Sequence, residues 1–203
     1  MQTLRALIAL SLGAGVLLSG AQAERSSEPF TARAGSDFQS LGRLELRHTK
    51  HAVTYADAIA VFGRPSSCRL DGSPADALAR WRPIGVRLRL TTLGTLPRGT
   101  NGCTAPRWIH IDSAFASDSR WHTKLGLHIG SSVADLRRLY PLAIYQRRPN
   151  GNWPAPAYWI AHVRERCVIG ICSSRYVTVP RLTAHIVGGR VAEFFFPVGA
   201  EGE

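Results

Sequence analysis

The side chains of this 203-residue chain best equipped for chemistry are seven histidines, four cysteines and fourteen acids. Their spacing speaks against a catalytic or metal centre. His48 and His51 form the closest histidine pair, in a polar segment with no carboxylate at ligand spacing, and no HExxH occurs. Residues three apart on a strand point to opposite faces, so these two converge only on a helix or turn. His110, His122, His128, His162 and His185 are scattered and read as structural. A serine nucleophile needs a strained turn such as G-x-S-x-G, which the chain lacks; Ser131 and Ser132 read as helix caps. No cofactor and no metal is expected.

Cys68, Cys103, Cys167 and Cys172 are even in number, which in an oxidising compartment reads as two disulfides. Three pairings are open. The economical one joins Cys68 to Cys103 and Cys167 to Cys172, keeping each bridge local. Zinc is disfavoured, because no CxxC pair is present.

Asp57 and Asp135 could be imagined as a pair of catalytic acids. Each, however, ends a four-residue stretch with a hydroxyl at its head: Thr54-Tyr55-Ala56-Asp57 and Ser132-Val133-Ala134-Asp135. That is a capping box, in which the hydroxyl accepts from the first helical turn and the acid answers it. Apolar residues follow at helical spacing, Ala58, Val61 and Phe62 in one case and Leu136, Leu139 and Tyr140 in the other. Gly63 with Pro65 ends the first helix and Pro141 the second.

The aromatics give the best functional lead. Trp153 lies in a basic, proline-stiffened stretch with Arg147, Arg148 and Asn152. A tryptophan flanked by prolines loses little entropy on binding and offers a large contact area, so these four residues form the candidate binding loop.

The elements that must position these residues follow from periodicity. Leu41 to Leu46 alternates as a short strand, and Ile84 to Leu90 places Val86, Leu88 and Leu90 on one face with Arg87 and Arg89 on the other. Further strands are expected at Arg107 to Asp112, Tyr158 to Val168, Thr178 to Val187 and Arg190 to Phe196. Gly188-Gly189 makes a hairpin turn between the last two. The two capping boxes and the pair Trp81 and Trp159 share a spacing of 78 residues. The expected fold is therefore α+β, as two tandem repeats over residues 41–118 and 119–203, each a short helix followed by antiparallel strands, with their sheets sharing or adjoining a face.

Ahead of these, residues 1–23 combine Arg5, an apolar run from Ala6 to Leu18 and small residues before Ala23, which reads as a cleavable signal peptide. The run is shorter than the ~20 residues a membrane helix needs. No membrane span is expected in the mature chain, and residues 24–40, rich in Ser, Ala, Arg and Gly, read as a flexible leader. A formal charge of +11 favours anionic partners. The arginines are scattered without a run of five or six, which speaks against nucleic acid.

The segment Leu125-Gly126-Leu127-His128-Ile129-Gly130-Ser131-Ser132-Val133-Ala134-Asp135-Leu136 and its looser copy at Thr54 to Pro65 carry a resemblance. The arrangement resembles the β-lactamase inhibitory protein, and its helix-plus-sheet unit is similar to the small outer-membrane assembly lipoproteins. The resemblance implies sheets that present a concave, aromatic-rich surface to a protein partner. The cysteine spacings depart from it, and no inhibitory contact residue maps onto this chain, so inhibition of a β-lactamase is not expected. The functional expectation is a secreted, non-enzymatic binding or inhibitory module whose partner is a protein or an anionic envelope component. The alternatives are a cell-envelope hydrolase with a carboxylate pair assembled by folding, and a charge-driven cell-surface binder.

Overall fold

A computed structural model describes residues 30–34, 39–46, 53–92, 94–148, 155–166 and 176–198. Its strands, in chain order, begin with β1 (Thr31–Ala34), β2 (Gln39–Leu41) and β3 (Leu44–Glu45). After helix α1 (Tyr55–Phe62) come β4 (Ser67–Leu70), β5 (Ala77–Trp81), β6 (Val86–Thr91), β7 (His110–Ala116) and β8 (His122–Thr123). Helix α2 (Val133–Leu139) precedes β9 (Ile144–Gln146), β10 (Ala157–Arg166), β11 (Tyr176–Val187) and β12 (Arg190–Pro197).

These strands form two sheets, one of four strands in the order β3-β2-β1-β8 and one of eight in the order β4-β5-β6-β7-β12-β11-β10-β9. The protein is thus mostly β, and the expected α+β fold of two helix-plus-sheet repeats is corrected. Two features overturn it. The helices have only eight and seven residues. The large sheet is continuous, because β7 and β12 pair antiparallel from Phe194 opposite Ala116 to Pro197 opposite Ser113. Each strand there satisfies the other's backbone donors and acceptors, which removes what would have been two exposed edges. The segment read as a flexible leader also contains β1 and most of β2. Ala32 pairs with Leu41 across that hairpin, and both side chains are buried.

Both helices start where expected, with the reciprocal box complete at Thr54 and the hydroxyl cap formed at Ser132. Thr54 accepts from the Asp57 amide while the Asp57 carboxylate accepts from the Thr54 amide at 2.8 Å; Ser132 accepts from the Asp135 amide at 3.1 Å. The two tryptophans part company. Trp81 packs in the core, edge-on to Tyr55 and Phe62, and its indole donates to the Gly63 carbonyl at 2.9 Å. Trp159 pairs with Thr183, which puts it on the opposite face of the sheet. Equal spacing along the chain did not give equal surroundings, since a strand alternates its side chains and a one-residue offset changes the face.

A single core joins both sheets and both helices. Ala79, Leu88, Ala114, Phe194 and Phe196 contribute from the large sheet, Leu41, Leu44 and Leu46 from the small one and its flank, and Ala58 and Leu136 from the helices. Full burial of a side chain such as Leu88 or Phe194 stabilises by roughly 1.5–3 kcal/mol. The bond between Cys68 in β4 and Cys103 in the β6–β7 connection forms as expected, with Cα atoms 5.8 Å apart. Cys167 and Cys172 lie outside the described residues. Among the described residues no helix is long and apolar enough to cross a membrane.

Candidate functional site

The face of the large sheet turned away from the helices carries the polar side chains. On β5 and β6, Ala77, Ala79, Trp81, Val86, Leu88 and Leu90 face the core, so Leu78, Arg80, Arg87 and Arg89 face the other way. Cross-strand partners share a face, and one row can be followed across all eight strands: Ser67, Arg80, Arg87, Phe115, Phe195, Thr183, Trp159 and Ile144. Next to it, Arg69, Leu78, Arg89 and Ser113 make a shorter row, and Glu193 stands opposite His185.

The row is tied together by contacts of definite geometry. The Arg87 guanidinium donates to both carboxylate oxygens of Glu193, at 3.1 and 3.2 Å, and lies 4.2 Å above the centre of the Phe115 ring. Phe115 stacks obliquely on Phe195 with centroids 4.9 Å apart. Arg89 donates to Asp71 at 3.2 Å. Between these side chains lies a depression of about 580 Å³, walled by the four arginines with Leu78 and Phe115 and also lined by Asp71, His185 and Glu193. A smaller hollow of about 280 Å³ is also lined by Arg80, Arg87 and Glu193.

Electrostatics at this place are unusual for a sheet surface. Burial pushes the Glu193 carboxyl above its ordinary range, against the opposing pull of Arg87. Burial also holds the His185 imidazole below its ordinary value; a hydrogen bond to the Ala155 backbone opposes the shift and the Arg87 charge adds to it. Arg80 and Arg87 are directly opposite one another, a like-charge pairing that costs stability unless an anion intervenes. Glu193 answers Arg87. Arg69 and Arg80 have no carboxylate among the described residues, and the buried Nε of Arg80 has no hydrogen-bond partner.

The residues singled out from sequence sit elsewhere. Arg147 and Arg148 are exposed just after β9, at the edge of the sheet opposite β4, and the Arg148 carbonyl accepts from Gln146 at 2.9 Å. Asn152 and Trp153 lie outside the described residues. Asp57 and Asp135 serve their helix starts, and the Ser132 hydroxyl, followed by Arg138, holds the Asp135 carboxyl below the usual range. Among the described residues no cluster of three or more His, Cys, Asp or Glu side chains is placed to hold a metal ion. Sequence reasoning missed the depression, although the alternation of Arg87 and Arg89 with buried leucines was its visible trace.

Fold and site together define a mostly β protein whose eight-stranded antiparallel sheet carries an arginine-rich face with aromatic side chains. The chain matches no protein-family model, no curated protein and no solved structure.

Proposed function

We propose that this protein is an exported binding or inhibitory module, without catalytic chemistry of its own, that holds a protein partner on the polar face of its eight-stranded sheet. The observation that carries the reading is the row Arg80, Arg87 and Phe115, the last backed by the buried Phe195, along the 580 Å³ depression. Arginine and aromatic side chains held by a rigid sheet suit the centre of an interface, where they bring large contact area and directional donors at low entropic cost. The signal-like first 23 residues and the disulfide support action outside the cytoplasm.

The reading is tested with a photo-cross-linking amino acid at Leu78, on the depression wall, and in a separate variant at Leu125, exposed in the turn after β8. In extracytoplasmic extract the Leu78 probe is expected to trap a discrete partner that the Leu125 probe does not. Trapping from Leu125 alone, or from neither, overturns the proposal.

A second reading is favoured by one observation. Glu193, with its raised carboxyl pKa, shares the depression with Asp71, as the acid pair of an envelope-acting hydrolase would. Each acid already accepts from an arginine, which favours the binding role. Turnover of an envelope polysaccharide that E193Q abolishes would reverse that preference.

A further inference from the structure

Two of the four arginines around the depression are spoken for. Arg87 is neutralised by Glu193 and Arg89 by Asp71, while Arg69 on the edge strand β4 and Arg80 on β5 have no described acid. Arg80 faces the Arg87 charge across the strand pair and leaves a buried N–H unsatisfied. Both features are costs in the free protein that an incoming anion would remove.

We propose that this depression receives the carboxylate side chains of an acidic segment of the protein partner, with Arg80 and Arg69 as their ligands. The inference rests on the polar face being the binding face. Guanidinium groups match carboxylates in plane and spacing and form paired charge-assisted hydrogen bonds. Leu78 and Phe115 give the same depression an apolar wall for the carbon portion of a peptide. A phosphate polyanion fits less well, because Asp71 and Glu193 border the site and oppose a continuous run of negative charge.

The probe is a fluorescein-labelled peptide of glutamate and phenylalanine, with the glutamine–phenylalanine peptide as its uncharged control, read by fluorescence polarisation on the full chain with its disulfide intact. Wild-type protein is expected to prefer the glutamate peptide by about ten-fold or more, and R69Q/R80Q to lose that preference, from the loss of charge-assisted hydrogen bonds. R69Q alone, on an exposed edge position, is expected to lose about three-fold. Because it leaves the core untouched, it keeps the test valid if the double variant fails to fold. R138Q/R148Q, which removes two cations outside the depression, is expected to bind as wild type.

Equal binding of the two peptides by wild type, or of the glutamate peptide by wild type and R69Q/R80Q, overturns the proposal. So does displacement of the peptide by tripolyphosphate at lower concentration than by the unlabelled peptide, an outcome that marks a phosphate site. Failure of the two readings is distinguishable. A partner trapped from Leu78 equally well by R69Q/R80Q leaves the binding face standing and removes the carboxylate ligands; a glutamate preference with no trapping from Leu78 does the reverse.

Discussion

Arg87 and Glu193 meet across an intervening strand: the guanidinium leaves β6, passes over the Phe115 ring on β7 and grips the carboxylate on β12 through two hydrogen bonds. Residues 106 positions apart in the chain are thereby fixed to one another at the centre of the polar face.

Replacing Arg87 by alanine leaves a mostly buried carboxylate without its counter-ion and uncovers the Phe115 ring. The expected loss is about 2 kcal/mol at neutral pH, below the value for a fully buried pair because Arg87 remains partly exposed. Urea unfolding measures it, and carboxyl NMR is expected to show the Glu193 titration moving further upward. R87K keeps the charge without the planar fork and falls between the two.

The pH dependence of stability carries two contributions of opposite sign. His185 is held below its ordinary 6.5, so its contribution is complete above 6.5 and is lost as pH falls through the depressed folded value. Glu193 is held above its ordinary 4.5, so its contribution is complete below 4.5 and is lost as pH rises through the raised folded value. Denaturation curves across pH are expected to show H185Q flattening the acid-side loss and E193Q flattening the loss above 4.5.

Gly85 closes the turn before β6 with φ at +62°, and a Cβ there would lie 2.5 Å from the backbone nitrogen of Asp118. G85A combines left-handed backbone with a clash against main chain and is expected to cost about 3 kcal/mol. Gly63 has φ at +76° with nothing within 4 Å, so G63A is expected to cost about 1 kcal/mol. Similar melting temperatures for the two variants would refute the close-approach argument.

Thr54→Ala and Ser132→Ala each remove a hydroxyl that accepts from the first turn of its helix and donates to the following acid at 2.7 Å. Each is expected to cost about 1 kcal/mol. Thermal unfolding of the two variants, and of the pair, checks both the size and the additivity.

Breaking the bond between Cys68 and Cys103 in the double serine variant frees a closed loop of ~36 residues, for which the chain-entropy account gives about 4 kcal/mol. A fall in melting temperature of more than ten degrees is expected from a loss of that size.

What was legible in the sequence was local. Hydroxyl, acid and following apolar spacing placed both helix starts, and alternation placed β6, β10, β11 and β12 to within a few residues. β4 and β5 escaped because Ser67–Leu70 and Ala77–Trp81 are short and hold no β-branched residue, their small residues, leucines and arginines carrying little strand signal. β1 escaped inside a stretch whose composition imitates a linker. The depression was illegible for a different reason. Arg87 and Arg89 read correctly as the face away from the core, but the register that sets β12 beside β7 and brings Glu193 within reach is a long-range choice that no local pattern encodes.

Cys68 immediately precedes Arg69 on β4, a four-residue strand with a neighbour on one side only. So short a border strand has few backbone bonds with which to resist peeling, and the sulfur bridge moors it to the β6–β7 connection. Thiol reduction would release the mooring right beside Arg69, so this border of the large sheet keeps its hold only while the two cysteines stay oxidised.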